Sequence, residues 1–310
     1  DALGKSRLHF TVSTEHLRLV EDKLACVKGI YENRWGVSFQ LGVSVQGSAT
    51  NTLAVDENCM PFRLEDGRLC FRPGGHGALL ENLNAMDGDI VFIKNIDNIV
   101  PDRLKPATVH YKKILCGCLL DLQDRIFSVL RMLDTGKIPS GSWEDLMTFC
   151  RDSLHVRFPE AFGSMDEEGQ RRFLFERLHR PLRVCGMVRN EGEPGGGPFW
   201  VRDADGGQSL QIVEEIQIDG ANSQQRNQWR EATHFNPVDL VCGLRDYRGK
   251  RFDLRRYVDP QTAIVASKTE KGKSIKALEH PGLWNGAMAF WNTIFVETPI
   301  ETFNPVKTID

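Results

Sequence analysis

The chain has 310 residues, 41% of them hydrophobic and 26% charged, with a formal net charge of −3. That length supports a sizeable buried core in one large domain or two ordinary ones. The small negative charge argues against a nucleic-acid partner, which normally needs a basic face, and no apolar run reaches the ~20 residues of a membrane span. No signal-peptide pattern opens the sequence, so a soluble, cytoplasmic protein with no membrane partner is expected. Eight cysteines stand at 26, 59, 70, 116, 118, 150, 185 and 242, mostly inside apolar runs such as RLCF and LVCG. The close pair Cys116 and Cys118 lacks the two-residue spacer and second pair of a zinc site. Buried, reduced thiols are therefore expected.

In chain order, RLHFTVS (7 to 13) predicts a strand. Thr14 then caps a helix in which Leu17, Val20, Leu24 and Val27 recur at helical spacing and Gly29 reads as the stop. SFQLGVSVQ (38 to 46) predicts a second strand. TLAVD and RLCF are short β pieces separated by turn residues including Asp66-Gly67. A short helix over 77 to 84 precedes the buried-type strand IVFIK (90 to 94). Helical periods then dominate 103 to 181, over Tyr111 to Met132, Trp143 to Leu154 and Asp166 to Leu178. The β pattern returns in PLRVCGMV, SLQIVEEIQI and VDLVCGL, EGEPGGGPF (191 to 199) reads as a Gly-Pro loop, and a last helix is expected from about 281 to 293. Alternating strands and helices predict an α/β sheet, largely parallel, interrupted by a helical insertion. The expected division is 1–102 as a nucleotide-binding part, 103–181 as the insertion and 182–310 as a sugar-binding part of the same domain.

In such sheets ligands bind beyond the carboxyl ends of strands, and Gln46, Asn95, Asp97 and Asn236 all stand where predicted strands run out. The loop FRPGGHGALLENLN (71 to 84) carries Gly74, Gly75 and Gly77 around His76. Without Cβ atoms its N–H groups can approach a ligand closely, and the helix start near His76 suits a phosphate or the acceptor edge of a base. A tight surface turn is the bland alternative. Asp97, between Asn95 and Asn98, is placed to hold Mg²⁺ on phosphate oxygens, or else to cap a helix. Lys307 in FNPVKTID is a point charge suited to phosphate, or a solvated lysine. His234 and His280 have no partner at a recognisable spacing and read as structural.

The pairing of PGGHGA with VFIKNIDN is similar to the UDP-sugar pyrophosphorylase family, which shows P-x-G-H-G followed by V-F-V-x-N-x-D-N. Further on, SKTEKGKSIKALEHPGLWNGAM resembles that family's N-K-T segment and following helix, and FNPVKT resembles its F-x-P-V-K-T. FRPGGHGALLENLN, THFNPVDLVCG and NEGEPGGGPFWV more specifically resemble an uncharacterised bacterial domain family distantly related to it. The ordered blocks cover most of the chain and leave the helical stretch uncovered. The resemblance implies a Rossmann-like, glycosyltransferase-A type mixed sheet and nucleotidyl transfer from a nucleoside triphosphate, UTP in particular, to a sugar 1-phosphate with release of pyrophosphate. It implies that Gly74 and Gly75 meet the base, Gln46 reads it, and His76 contacts the sugar phosphate. Asn95 and Asn236 would touch the sugar side, Asp97 and Asp239 would hold Mg²⁺, and Lys307 would contact phosphates.

Two departures bear on this reading. The family's L-x-G-G-x-G-T loop is not found in these residues, so it is expected upstream of Asp1 in a longer protein, and the segment by itself is expected not to turn over. Ala78 stands where the family commonly has an acid after G-H-G. The alternatives are a nucleotide-sugar-dependent glycosyltransferase and a non-catalytic nucleotide-binding module.

Overall fold

The computed structural model describes residues 4–95, 98–136, 138, 141–193, 195–202 and 206–304. It is a mixed α/β structure whose elements alternate as the sequence periodicity predicts, with instructive exceptions. Strand β1 (Lys5–Val12) leads into helix α1 (Leu17–Trp35) and strand β2 (Ser38–Val45), and β1 and β2 pair in parallel. Helix α1 passes straight through Gly29 and ends at Gly36, whose φ of 62° forms the left-handed cap and whose N–H reaches Glu32 O. A lone glycine costs a helix only about 1 kcal/mol, too little to stop it without the left-handed turn that Gly36 supplies. Strands β3 (Thr52–Val55) and β4 (Phe71–Arg72) follow, then helix α2 (Leu80–Ala85) and β5 (Ile90–Lys94).

Helix α3 (Lys105–Thr135) starts with proline in its first turn, ends on left-handed Gly136, and buries Leu115, Leu119, Leu122, Ile126, Leu130 and Leu133 as one stripe. Helices α4 (Ser142–Thr148) and α5 (Glu167–Leu178) follow, with the Asp166 side chain accepting the Gly169 N–H at the start of α5. Then come β6 (Leu182–Arg189), β7 (Gly197–Arg202) and β8 (Gln208–Val213), helix α6 (Ser223–Arg230), and strands β9 (His234–Phe235) and β10 (Asp239–Gly243). The chain closes with β11 (Ile264–Glu270), β12 (Lys273–Glu279) and β13 (Asn292–Glu297).

Three stretches differ from the sequence expectation. The Gly-Pro stretch holds β7, an antiparallel partner of β8. The Lys/Glu-rich segment 264–279 forms the antiparallel hairpin of β11 and β12, turning at Lys271 (φ 49°) and Gly272 (φ 81°). That pair of positive φ values marks the tight turn that suits strand twist. Residues 281–291 form no helix: apart from a short 3-10 turn at Gly286–Met288 they are extended or turning, and β13 starts at Asn292.

The chain divides into two compact units. The first comprises Asp1–Met86 and Pro260–Ala287, the second Asp87–Asp259 and Met288–Asp310. A division at 102 and 181 cuts across the second unit, because β5 pairs with β10 and the helices of 105–178 share a core with the sheet. In the first unit β11-β12-β3-β4 form one sheet, with Ala54, Cys70 and Ile275 buried against Phe62 and Leu64. In the second the order is β13-β6-β10-β5. Here β13 and β6 are parallel, whereas β10 runs antiparallel to both β6 and β5. The sheet is thus mixed rather than largely parallel. Leu115, Leu119, Ile126 and Leu130 of α3 join Leu174 and Leu178 of α5 in covering Leu182, Val184, Val241 and Ile294 of the sheet. Among the described residues no helix is long and apolar enough to cross a membrane.

All eight cysteines are free thiols; Cys26 and Cys59 are exposed, Cys70, Cys150, Cys185 and Cys242 are buried. Burial pushes Cys150 up to about 12 and Cys185 up to about 11, and a thiol reacts as its thiolate. A thiolate-directed reagent at neutral pH should therefore modify Cys26 and Cys59 quickly, the half-buried Cys116 and Cys118 more slowly, and Cys70, Cys150, Cys185 and Cys242 only on unfolding. Fast modification of Cys150 or Cys185, read by mass spectrometry of digests, would contradict this packing.

Candidate functional site

In the first unit the glycine loop docks on the segment that follows β12. The Gly74 carbonyl accepts from His280 N at 2.9 Å, and the His280 ring nitrogen Nε2 donates to Thr50 O at 2.8 Å. A Cβ on Gly74 would stand 2.4 Å from the His280 ring and 2.5 Å from Thr50 O. Gly75 has φ 72° and its Cβ would stand 2.7 Å from Glu279 Oε2. Glu279 is in turn held by Lys268 at 2.7 Å. The glycines are required by this contact, since any side chain would push the loop off its seat.

His76 is fixed between two features of the same segment. Its ring stacks on Trp284, centroids 4.2 Å apart and planes 28° from parallel. Its Nδ1 accepts the Leu283 N–H at 3.2 Å, so the neutral ring carries its proton on Nε2. A Cβ on Gly282 would meet the His76 ring at 2.7 Å, which leaves glycine as the residue that lets the ring lie flat there.

Gln46 follows β2 and donates from Nε2 to Thr50 Oγ1 at 3.2 Å. Because Thr50 O holds His280 and His280 N holds Gly74, a hydrogen-bonded chain runs from Gln46 to the glycine loop. The first unit therefore brings together Gln46, Gly74, Gly75 and His76. His280 is a structural ring, as the sequence predicts, but its place is the centre of this docking. The partners Glu279, Leu283 and Trp284 were not legible as site residues: they lie some two hundred positions away, and only the run of glycine and proline in EHPGLWNG hinted at close packing.

In the second unit the register of β5 against β10 sets Lys94 opposite Asp239. Asp239, nearly buried, is gripped by two ammonium groups, Lys94 at 3.6 Å and Lys112 of α3 in a very short contact. Burial lowers the Lys94 pKa, an effect that Asp239 opposes and Lys112 reinforces. Lys112 also lies over the Phe92 ring at 5.5 Å. Asn95 begins the turn after β5, its carbonyl accepting from Asn98 N at 3.3 Å. Asn236 is buried: its side-chain oxygen accepts from Val238 N at 3.1 Å, while its Nδ2 has no hydrogen-bond partner among the described residues. Asn98 ties the two turns, donating to Pro237 O and accepting from Asn304 N. Lys94, Lys112 and Asn98 were missed by sequence reading; Lys94 alone left a signal, as a cation ending an apolar strand. His234 pairs with Glu297 at 3.1 Å and is structural. Asp97 and Lys307 lie outside the described residues.

The described residues do not fit a Mg²⁺ site. No group of three His, Cys, Asp or Glu side chains among them comes together, and Asp239 already has both oxygens engaged by ammonium groups. A carboxylate neutralised in this way has little charge left for a divalent cation.

The model of one protein family matches residues 1–310 from end to end. The chain belongs to the DUF4301 family, described as a domain of unknown function. No curated protein matches the sequence. Among solved structures, the DUF4301 chain is similar to a mutant of UDP-glucose pyrophosphorylase from Leishmania major, at 13% identity and a TM-score of 0.47, with 96% of this chain and 53% of that one covered. It is also similar to a UDP-glucose phosphorylase from Trypanosoma brucei (15%, TM-score 0.43, 97% and 52% covered). A third is a protein assigned as a UDP-N-acetylglucosamine pyrophosphorylase from Entamoeba histolytica (13%, TM-score 0.45, 97% and 61% covered). The DUF4301 chain thus spans little more than half the length of these proteins.

Proposed function

We propose that this chain is the nucleotide- and sugar-binding part of a sugar-phosphate nucleotidyltransferase, on a Rossmann-like, glycosyltransferase-A type arrangement. The observation that supports this most is the His76 loop. Three glycines with no room for a Cβ, a ring stacked on Trp284 and a hydrogen-bonded link to Gln46 form a rigid seat of the kind that reads a base edge by backbone groups. The order of the P-G-G-H-G, I-D-N and F-N-P-V blocks along the chain supports it independently.

In this reading Gln46 and the backbone at Gly74 and Gly75 hold the base of UTP, and His76 donates from Nε2 to a phosphate oxygen of the sugar 1-phosphate. An oxygen of that phosphate attacks the α-phosphorus of the triphosphate, the bond to the bridging oxygen breaks, and pyrophosphate leaves. The chain's own part is positioning and charge stabilisation. On the second unit, Asn95 and Asn236 keep the sugar-side role that the family resemblance gives them. Lys307 and Asp97 keep the roles the family resemblance gives them, phosphate contact and metal binding; any Mg²⁺ would rest on Asp97, since Asp239 is committed to its lysines.

Titration calorimetry with UTP and the other nucleoside triphosphates tests the reading, and binding is the primary readout because the L-x-G-G-x-G-T loop is not among these residues. UTP should bind, and Gln46→Ala should weaken its binding by about tenfold or more. Unaltered UTP affinity in Gln46→Ala, or no binding of any nucleotide, would overturn it. Pyrophosphate release with sugar 1-phosphates identifies the transferase. Transfer from a nucleotide sugar to an acceptor would mark a glycosyltransferase, and binding with neither reaction a non-catalytic module.

A further inference from the structure

The first unit leaves the apolar face of its sheet open. Strand register places Val265 of β11 opposite Leu278 of β12, and Leu53 of β3 opposite Phe71 of β4. Ala277 lies opposite Ala54 and Lys276 opposite Val55, which sets Leu278 beside Leu53. Directly opposed residues share a face, so four apolar side chains form one row across all four strands. Val265 is 64% exposed, Phe71 55% and Leu278 44%. The reverse face carries the buried Ala54, Cys70, Ile275 and Ala277, together with the Arg72–Glu270 and Lys268–Glu279 ion pairs. A solvated antiparallel sheet normally turns its charges outward and its apolar residues inward. Here the apolar row is the open one, and a contiguous apolar surface of this kind marks an interaction site.

Helix α1, also in the first unit, has a second open surface. Leu17, Val20, Leu24 and Val27 are half-buried, whereas Leu19 is 69% exposed, Ile30 is 65% exposed and Cys26 is exposed. At the helical repeat those three lie within about 40° of one another, on one stripe. From Leu19 to Ile30 the stripe runs ~17 Å, and the sheet row spans ~14 Å over its three strand spacings. The charges match as well. Asp22 flanks the stripe, three residues after Leu19 and four before Cys26, and Lys276 flanks the row, two residues before Leu278. Neither has an ion-pair partner among the described residues. The remaining β11 and β12 residues of that face, Ser267, Thr269 and Ser274, are uncharged.

We propose that α1 of a second copy of this chain docks on the open sheet face of the first. Leu19, Cys26 and Ile30 lie along the row from Val265 to Phe71, and Asp22 pairs with Lys276. An amphipathic helix seated on an apolar surface is a common mode of recognition. The two surfaces differ, so the contact is heterologous, and copies add head to tail unless a ring closes. One helix on one sheet face covers less than the roughly 1,200 Å² of a lasting complex, so association is weak and follows concentration. Neither the glycine loop nor a nucleotide takes part, so the contact is independent of the proposed reaction.

Sedimentation velocity from micromolar to near-millimolar protein makes the test, and the mean mass should rise with concentration above that of one chain. Ile30→Glu on the helix and Val265→Glu on the sheet should each weaken association by about tenfold or more. Thermal unfolding reports whether these variants are folded; if either is not, Ile30→Ser or Val265→Ser replaces it. Mixing the two variants should restore one contact, the intact helix of one on the intact sheet of the other, and growth should stop at pairs. Asp22→Lys and Lys276→Asp should each weaken association by about two- to fivefold, and Asp22→Lys/Lys276→Asp in one chain should restore it. A parent that keeps the mass of one chain throughout would overturn the proposal. So would association unchanged in the folded helix and sheet variants, or no recovery in the double charge reversal.

Discussion

Gly77→Ala should unseat the glycine loop and cost the first unit about 3 kcal/mol, the upper end of what overpacking usually costs. The added Cβ would stand 2.2 Å from the Pro281 carbonyl oxygen and 2.8 Å from that of His280. Both obstacles are backbone, so neither can rotate away, and relief requires the loop and the 279–284 segment to part. Parting them breaks the Gly74–His280 and His76–Leu283 hydrogen bonds. Denaturant unfolding should show a lower midpoint at unchanged slope if the native state otherwise keeps its surface, and UTP affinity should fall with it. Gly117→Ala is the contrasting variant. Gly117 lies within α3, and nothing stands within 4 Å of the place an alanine methyl would take, so helix propensity alone should raise stability by roughly 0.5–1 kcal/mol. Equal stabilities for the two variants would mean that the loop is not seated as described.

Asp239→Asn should be comparably damaging, for an electrostatic reason. The amide keeps the size of the side chain but removes the negative charge between Lys94 and Lys112. Breaking a buried ion pair on one side typically costs 3–5 kcal/mol; with the lysines partly open to solvent, about 3 kcal/mol is expected. The pH dependence identifies the cause. Burial already lowers the Lys94 pKa, and Asp239 is the group that opposes the shift, so the variant lowers it further. A lysine with a depressed folded pKa binds fewer protons folded than unfolded, so stability rises with pH between that folded pKa and the unfolded value of about 10.4. The deficit of Asp239→Asn should therefore shrink as pH rises from about 7 to about 10, and Asp239→Asn/Lys94→Met should recover part of it at neutral pH. Thermal unfolding of parent and variants across that range makes the comparison. A deficit that stays constant with pH would remove the lysines as its cause, and one that appeared only with Mg²⁺ present would restore Asp239 as a metal ligand.

The sequence by itself determined the elements whose signals are local. IVFIK became β5 at its expected bounds, the stripe of α3 was readable from its leucine spacing, and the glycines of PGGHG announced a loop that tolerates no side chain. The same locality explains the errors. Gly29 looked like a helix stop, but a stop needs the left-handed turn that only Gly36 adopts. Residues 281–291 carried enough apolar character to suggest a helix, yet their conformation is set by contact with a loop some two hundred positions earlier: Gly282 lies against His76, and the Pro281 carbonyl against Gly77. Tertiary structure alone decided which groups surround Asp239. Nothing near Asp239 in sequence shows that strand register brings Lys94 beside it, or that α3 brings Lys112. An isolated aspartate at a strand end suits a metal; here the same aspartate lies in contact with two ammonium groups. Pairing across a sheet and packing of a helix upon it depend on residues distant in the chain, and Coulomb interactions at a few ångströms follow that pairing rather than the sequence spacing.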